Sequence, residues 1–176
     1  LFRVHPEVLH HYRQRFGHVL VDEYQDTNPV QNDLVMLLGE EHRNVCVVGD
    51  QDQSVYAFRG ADIRNLMEFE RTFPDATVVV LEQNYRSTQR ILDAANAVIA
   101  HNLHRKPKDL WSEAGSGEPI VRFQGEDEGD EAQWVAHRLS MLHAGGYLRW
   151  ADMAVFYRTN AQSRVLESAL FNAGIP

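Results

Sequence analysis

Three short apolar runs, each rich in valine, punctuate the first half of the chain at residues 18–22, 44–49 and 76–82. Near-continuous apolar character over so few residues predicts strands buried on both faces, as in a parallel sheet. The gaps between the runs are long enough for one helix each. The first gap has Pro29 at a favoured opening helical position, with Val30, Leu34, Leu37 and Leu38 along one side. The second has Asp62 as a candidate N-cap, followed by Ile63, Leu66, Met67 and Phe73. Alternating strand and helix predicts an α/β fold, a parallel sheet with right-handed crossovers and flanking helices.

A second block repeats this alternation. Ser87 is placed to cap a long helix reaching about Asn102, with Leu92, Ala95 and Val98 in its buried stripe. Residues 107–119, which contain Gly115-Ser116-Gly117, read as a loop. Strands are expected at 120–124 and 153–157. A helix over 130–144, ended by Gly145-Gly146, connects them, and a last helix runs over about 161–172 before Gly174. The whole is a further strand–helix–strand unit. A domain boundary is expected where the third strand ends, at 82–84.

Composition narrows the class. Apolar residues make up 44% of the 176 and charged residues 24%, as in a folded water-soluble domain. The longest apolar runs fall far short of the ~18 residues a membrane span needs. No signal peptide is visible, so the chain reads as a piece of a longer cytoplasmic polypeptide. A single cysteine, Cys46, excludes an internal disulfide framework. Its apolar neighbours predict a buried, inert thiol. The net charge of -8 argues weakly against a nucleic-acid binder. The acids, however, cluster between Glu113 and Glu131, whereas Arg86, Arg90, Arg105, Lys106 and Lys108 face only Asp93 and Asp109. A protein that grips single strands by base stacking and a few phosphate contacts needs no basic total.

Three runs carry chemistry. In His18-Val19-Leu20-Val21-Asp22-Glu23, an apolar strand delivers two acids to its C-terminal end, where ligands bind in open α/β sheets. Asp22 is then placed to hold Mg2+ and Glu23 to orient and deprotonate a water. Taken alone, the hexapeptide fits a buried strand with an acidic turn better. The second run spans 47–61. Gln53 is suited to a terminal phosphate, Tyr56 and Phe58 to stacking on bases, and Arg59 to a phosphate or an acid. A polar turn leading to a core aromatic pair is the plainer alternative. In the third, Asn84-Tyr85-Arg86-Ser87, Tyr85 offers a face for a nucleotide base and Arg86 stands near a helix start. A capped helix with a surface arginine fits equally.

Together, Asp22-Glu23-Tyr24-Gln25-Asp26-Thr27, Gly49-Asp50-Gln51-Asp52-Gln53-Ser54 and Asn84-Tyr85-Arg86-Ser87-Thr88 resemble motifs of the UvrD/PcrA/Rep group of superfamily-one DNA helicases, with wording nearest its PcrA branch. Tyr157-Arg158-Thr159-Asn160-Ala161-Gln162-Ser163-Arg164 and the stretch from Arg105 to Trp111 resemble further segments of the same group. The motifs occur in order over nearly the whole chain.

The resemblance implies parts of two RecA-like motor domains with ATP between them. Residues 1–82 would be the later part of the first, with 1–16 returning from a helical insertion. Residues 83–176 would begin the second. It implies an ATP-dependent DNA helicase or translocase of DNA repair or replication, moving 3′ to 5′ on single-stranded DNA and at duplex junctions. DNA-repair proteins and the rest of the same polypeptide would be its partners. By motif, Asp22 is the Mg2+ ligand, Glu23 the catalytic base and Gln53 the γ-phosphate sensor. Tyr85 stacks on adenine, and Arg86 reaches the γ-phosphate from the second domain. Tyr56 and Phe58 stack on DNA bases, Arg59 links DNA to the ATP site, and Asn160 contacts DNA. The group commonly has Trp where Phe58 stands, which leaves a smaller stacking face here.

No Gly-x-x-x-x-Gly-Lys-Ser/Thr loop occurs in the sequence. That loop cradles phosphates in such enzymes, so this stretch alone is expected to be inactive. Its incomplete sheets are expected to leave edges or apolar faces exposed. Two other readings compete. One is a subunit of a RecB- or AddA-type nuclease–helicase. The other is a non-catalytic nucleic-acid-binding or interaction module with a decayed ATP site. His10-His11 and His101 with His104 lack the companions of a metal site and read as solvent or core residues. The acids of 126–131 read as a solvated helix start. Trp111, Trp134 and Trp150 read as core or loop anchors.

Overall fold

A computed structural model describes residues 1–102 and 107–176. The described residues fall into two compact units, Leu1–Glu118 and Pro119–Pro176.

The first unit is built on two parallel strands, β1 (Val19–Val21) and β2 (Val45–Val47), in the register Val19↔Val45, Leu20↔Cys46, Val21↔Val47. Backbone hydrogen bonds extend the pairing at both ends. Asn44 O accepts from Val19 N at 2.9 Å, Val21 O from Val48 N at 2.8 Å, and Val48 O from Tyr24 N at 2.9 Å. The crossover is α2 (Pro29–Gly39). Its start is over-determined: Pro29 is the first helical residue, and Asn28 and Gln31 cap each other reciprocally, both bonds 2.9 Å. Ahead of β1, α1 (Pro6–Arg15) packs on α2, and Arg13 donates from Nε to Leu37 O at 2.7 Å.

The core lies on one face of the sheet. Tyr24, Val35, Phe69 and Phe73 are buried there against Val19, Val21, Val45 and Val47. Phe69 meets Tyr24 edge-on at 5.9 Å and Phe73 at 4.8 Å. Burial lowers the acidity of the Tyr24 phenol, pushing its pKa up to about 12. Its hydroxyl donates to Asn32 Oδ1 at 2.5 Å.

The opposite face is bare, which corrects the expectation of strands buried on both sides. Leu20 is 76% exposed and Cys46 is exposed rather than a buried thiol. Strand alternation sends every second residue away from the core, and nothing among the described residues covers that side. The run 76–82 forms no third strand: Val79 is 73% and Leu81 75% exposed. A strand exists only through a partner, and the single pairing nearby is an isolated parallel bridge, Gln83↔Trp111. The helix expected after Asp62 is two short ones, α3 (Arg64–Met67) and α4 (Phe69–Thr72), which meet at Glu68 with ψ near 0°. The N-cap is Ile63 rather than the expected Asp62, which stands one residue before it with Oδ1 accepting from Arg64 N at 3.0 Å.

Beyond it, α5 (Gln89–Ile99) follows Thr88 rather than Ser87. Asn84 Oδ1 takes the Ser87 and Arg86 amides in an Asx turn, so the helix opens one residue later. The free amides of Gln89 and Arg90 donate to Gly115 O (2.9 Å) and Ser116 O (3.2 Å), so the 107–117 loop seals this helix start. Asn96 brackets Leu110 from both sides, donating to its O and accepting from its N.

The second unit is a helical pair. α6 (Glu128–Ala144) packs on α7 (Asn160–Asn172), with Ala132 and Ala136 buried. Asp127 caps α6 through Oδ1 to Asp130 N (2.8 Å), and the acids of 126–131 form its exposed first turn. The expected strands at 120–124 and 153–157 form no ladder, so the second strand–helix–strand unit has only its helices. Phe123 stacks flat on Trp134 at 4.7 Å, and Trp150 on His143 at 4.0 Å.

Candidate functional site

The C-terminal ends of β1 and β2 carry the residues expected to act chemically. The chain leaves β1 through Asp22 and Glu23, and Glu23 adopts a left-handed conformation (φ 50°, ψ 43°) before the short 3₁₀ turn Tyr24–Asp26. A non-glycine residue there carries strain of about 1–3 kcal/mol, tolerated only where its surroundings hold it. Asp22 Oδ1 accepts from Glu23 N at 2.9 Å, and Glu23 O from Asp26 N at 3.0 Å. Both acid side chains are exposed, so the carboxylates face solvent at the sheet's end.

Beneath them lies Gln25, 1% exposed. Its Nε2 donates to Glu23 Oε2 at 2.7 Å, and its Oε1 accepts from Asp50 N at 3.0 Å. The two bonds fix the amide's orientation, because a carboxylate only accepts and a backbone N–H only donates. Gly49 is needed at this contact: a Cβ there would come within 2.9 Å of Gln25 Oε1.

The loop after β2 is thereby seated beside Glu23. Asp50 organises it, its carboxylate taking Asp52 N at 3.0 Å and Gln53 Nε2 at 2.8 Å. Lys108 reaches the same carboxylate and lies 3.8 Å from Asp52, while Asn102 donates to Asp52 Oδ1 at 3.2 Å. Burial alone would raise the Asp50 carboxyl, but hydrogen bonds from Lys108, Gln53 and the Asp52 amide, with the Lys108 charge, hold it below the usual range.

Farther along, Tyr56 and Phe58 sit 6.0 Å apart with Arg59 over both rings, at 5.2 and 5.4 Å. The guanidinium holds a two-ring platform together by cation–π attraction. Phe58 is 79% exposed, so the bland reading of a core aromatic pair does not hold. Gly60, at φ 86°, turns the chain away.

Tyr85 is 85% exposed, its hydroxyl donating to Gln83 Oε1 at 2.9 Å. The Arg86 side chain is exposed and makes no hydrogen bond or ion pair among the described residues. Asn160 opens α7 in the second unit, its carbonyl accepting from Ser163 Oγ at 2.9 Å. The structure therefore brings Asp22, Glu23, Gln53 and the aromatic loop to one end of one sheet. Sequence reading missed Gln25, Asp50 and Lys108 as organisers. The only signal for Gln25 was a glutamine two places after the acidic pair. Of the cationic stretch 105–108, Arg105 and Lys106 lie outside the described residues, as does His104.

Comparison with known proteins finds two family domains along the chain. Residues 1–74 fit the UvrD/REP helicase N-terminal domain and residues 79–176 the UvrD-like helicase C-terminal domain. The chain is similar to the ATP-dependent DNA helicase PcrA of Bacillus subtilis, 53% identical over 99% of this chain and 24% of that protein. It is also similar to the ATP-dependent DNA helicase UvrD1 of Mycobacterium tuberculosis, 54% identical over 97% of this chain and 23% of that protein. It therefore spans about a quarter of the length of these relatives. With family models matching residues 1–74 and 79–176 and half its residues shared with these helicases, the chain belongs to the UvrD-like helicases, whose domains are RecA-like.

Proposed function

We propose that the chain is the junction of the two motor domains of an ATP-dependent DNA helicase or translocase. Residues 1–82 belong to the first motor domain and 83–176 to the second; family matches to 1–74 and 79–176 support two domains, with their junction a few residues earlier. The observation that carries the reading is one sheet end holding Asp22 and Glu23 beside a loop with Gln53 and an exposed aromatic pair. The acidic pair and the aromatic pair are thus 33 to 36 residues apart in sequence but share one anchor, Gln25.

The residues suit ATP and Mg2+. Mg2+ keeps several waters and takes one or two carboxylates plus phosphate oxygens, and Asp22 offers an exposed carboxylate with one oxygen unused among the described residues. When bound, the ion neutralises charge on the phosphates. Glu23 orients the attacking water and takes its proton. Gln53 leaves Asp50 to donate to the terminal phosphate. Arg86 stabilises charge developing there from the second domain, and Tyr85 stacks on adenine. Tyr56 and Phe58 stack on single-stranded DNA, Arg59 relays between them and the nucleotide, and Asn160 contacts DNA on the second domain. Movement 3′ to 5′, action at duplex junctions, repair partners and a cytoplasmic, nucleoid-associated setting belong to the same reading. No helix of the described residues is long and apolar enough to cross a membrane.

The test is ATP hydrolysis by the intact polypeptide with and without single-stranded DNA. Strong stimulation by DNA, abolished by Glu23→Gln with nucleotide binding kept, is expected. Hydrolysis indifferent to DNA would remove the motor reading.

A further inference from the structure

Gln25 has no assigned part in the chemistry above, yet it is one of only two large side chains fully buried among the described residues. A buried amide is costly unless each end is paired, and both ends here are. One end holds the Glu23 carboxylate and the other the Asp50 amide. The backbone carbonyl of Gln25 accepts a third, longer bond from Ser54 Oγ at 3.5 Å. Segment 49–54 is therefore hung on one residue at two points, and the platform of Tyr56, Phe58 and Arg59 follows directly. The left-handed backbone of Glu23 leaves its carboxylate dependent on such side-chain support.

We propose that Gln25 is a positioning residue that transmits the state of the DNA-stacking loop to the hydrolytic carboxylate. When single-stranded DNA orders 56–59, the ordering passes back through 49–54 to the Gln25 amide, whose other end sets the direction of Glu23. The inference rests on the reading of Glu23 as the base and of 56–58 as the stacking platform.

The experiment uses the full-length polypeptide. Gln25→Met keeps volume but removes both bonds. Its DNA-stimulated kcat is expected to fall on the order of 10-fold to 100-fold, with KM for ATP unchanged, as for a misdirected catalytic group. Hydrogen exchange in the nucleotide-free protein should rise across 49–54 and not elsewhere. Gln25→Glu, assayed well above the carboxylate range, keeps the acceptor for Asp50 N–H and replaces the donor to Glu23 with a like charge. It should lose kcat as fully while exchange across 49–54 stays at the unsubstituted level. Gly49→Ala, which crowds Gln25 Oε1 from the other side, should repeat the Gln25→Met pattern. Should Gln25→Met fail to fold, the Gln25→Glu pair of readouts decides. Unchanged kcat in either Gln25 variant, while Glu23→Gln is inactive, would overturn this inference and leave the functional reading standing. Turnover surviving in Glu23→Gln would remove the reading itself.

Discussion

The Lys108 ammonium sits on the Asp50 carboxylate, 58 residues away in sequence. Both side chains are about four-fifths buried. The pair fastens the loop after β2 to the segment that closes over α5. Because a part-buried charge left alone is destabilising, Lys108→Met should cost about 1–3 kcal/mol in urea unfolding. Adding Asp50→Asn should recover part of that, a coupling a double-mutant cycle reads directly. The folded Asp50 pKa is depressed, so its contribution is present above the ordinary carboxylate range and lost as pH falls through the folded value. Lys108→Met should therefore unfold in acid at a higher pH than the unsubstituted chain. Identical acid midpoints would contradict the pairing.

Tyr24 gives the opposite sign. Its folded pKa of about 12 lies above the unfolded value near 10, so the stability it lends is complete below about pH 10 and is lost as pH rises through 12. Phenolate absorbance should show one tyrosine ionising only with alkaline unfolding. Tyr24→Phe should remove that step and, by leaving Asn32 without its donor, cost about 1 kcal/mol at neutral pH.

The aromatic platform should be measurable without catalysis. In the intact polypeptide, Phe58→Ala is expected to weaken single-stranded DNA binding by about 1–3 kcal/mol, and Phe58→Trp to strengthen it. Arg59→Ala should weaken binding even where salt has screened phosphate contacts, because it holds Tyr56 and Phe58 together. Equal affinities by fluorescence anisotropy across these variants would discard the platform.

Arg86→Ala in the intact polypeptide should lower DNA-stimulated hydrolysis on the order of 10³-fold while nucleotide still binds. Its guanidinium is exposed and unpaired among the described residues, so thermal stability should stay within about 0.5 kcal/mol. Unimpaired turnover would remove its role across the domains.

The sequence showed most where information is local. Pro29 marked the start of α2, and the structure adds the Asn28–Gln31 cap within the same four residues. Val19–Val21 and Val45–Val47 were readable because each supplies the other's partner within one crossover. The valines at 78–80 have the same composition but no ladder, since pairing belongs to the neighbour and not to the strand. Helix breakage at Glu68 and the shift of the cap from Ser87 to Thr88 each turned on one residue's backbone, below the resolution of periodicity. The acidic pair and the aromatic loop were legible as residue types. Gln25 was not, because a buried amide with two partners looks in sequence like any polar turn residue.

The bare side of the sheet also furnishes a gauge. Cys46 stands there beside Leu20 and is the chain's single thiol. On this chain a maleimide can therefore attach once only, and its rate of attachment at Cys46 reports whether that surface is open or covered. The same placement makes air a reagent. An exposed thiol is open to air oxidation, so preparations of this chain kept without reductant are expected to accumulate a disulfide-linked pair that dithiothreitol dissolves, a band that Cys46→Ser should abolish on a non-reducing gel.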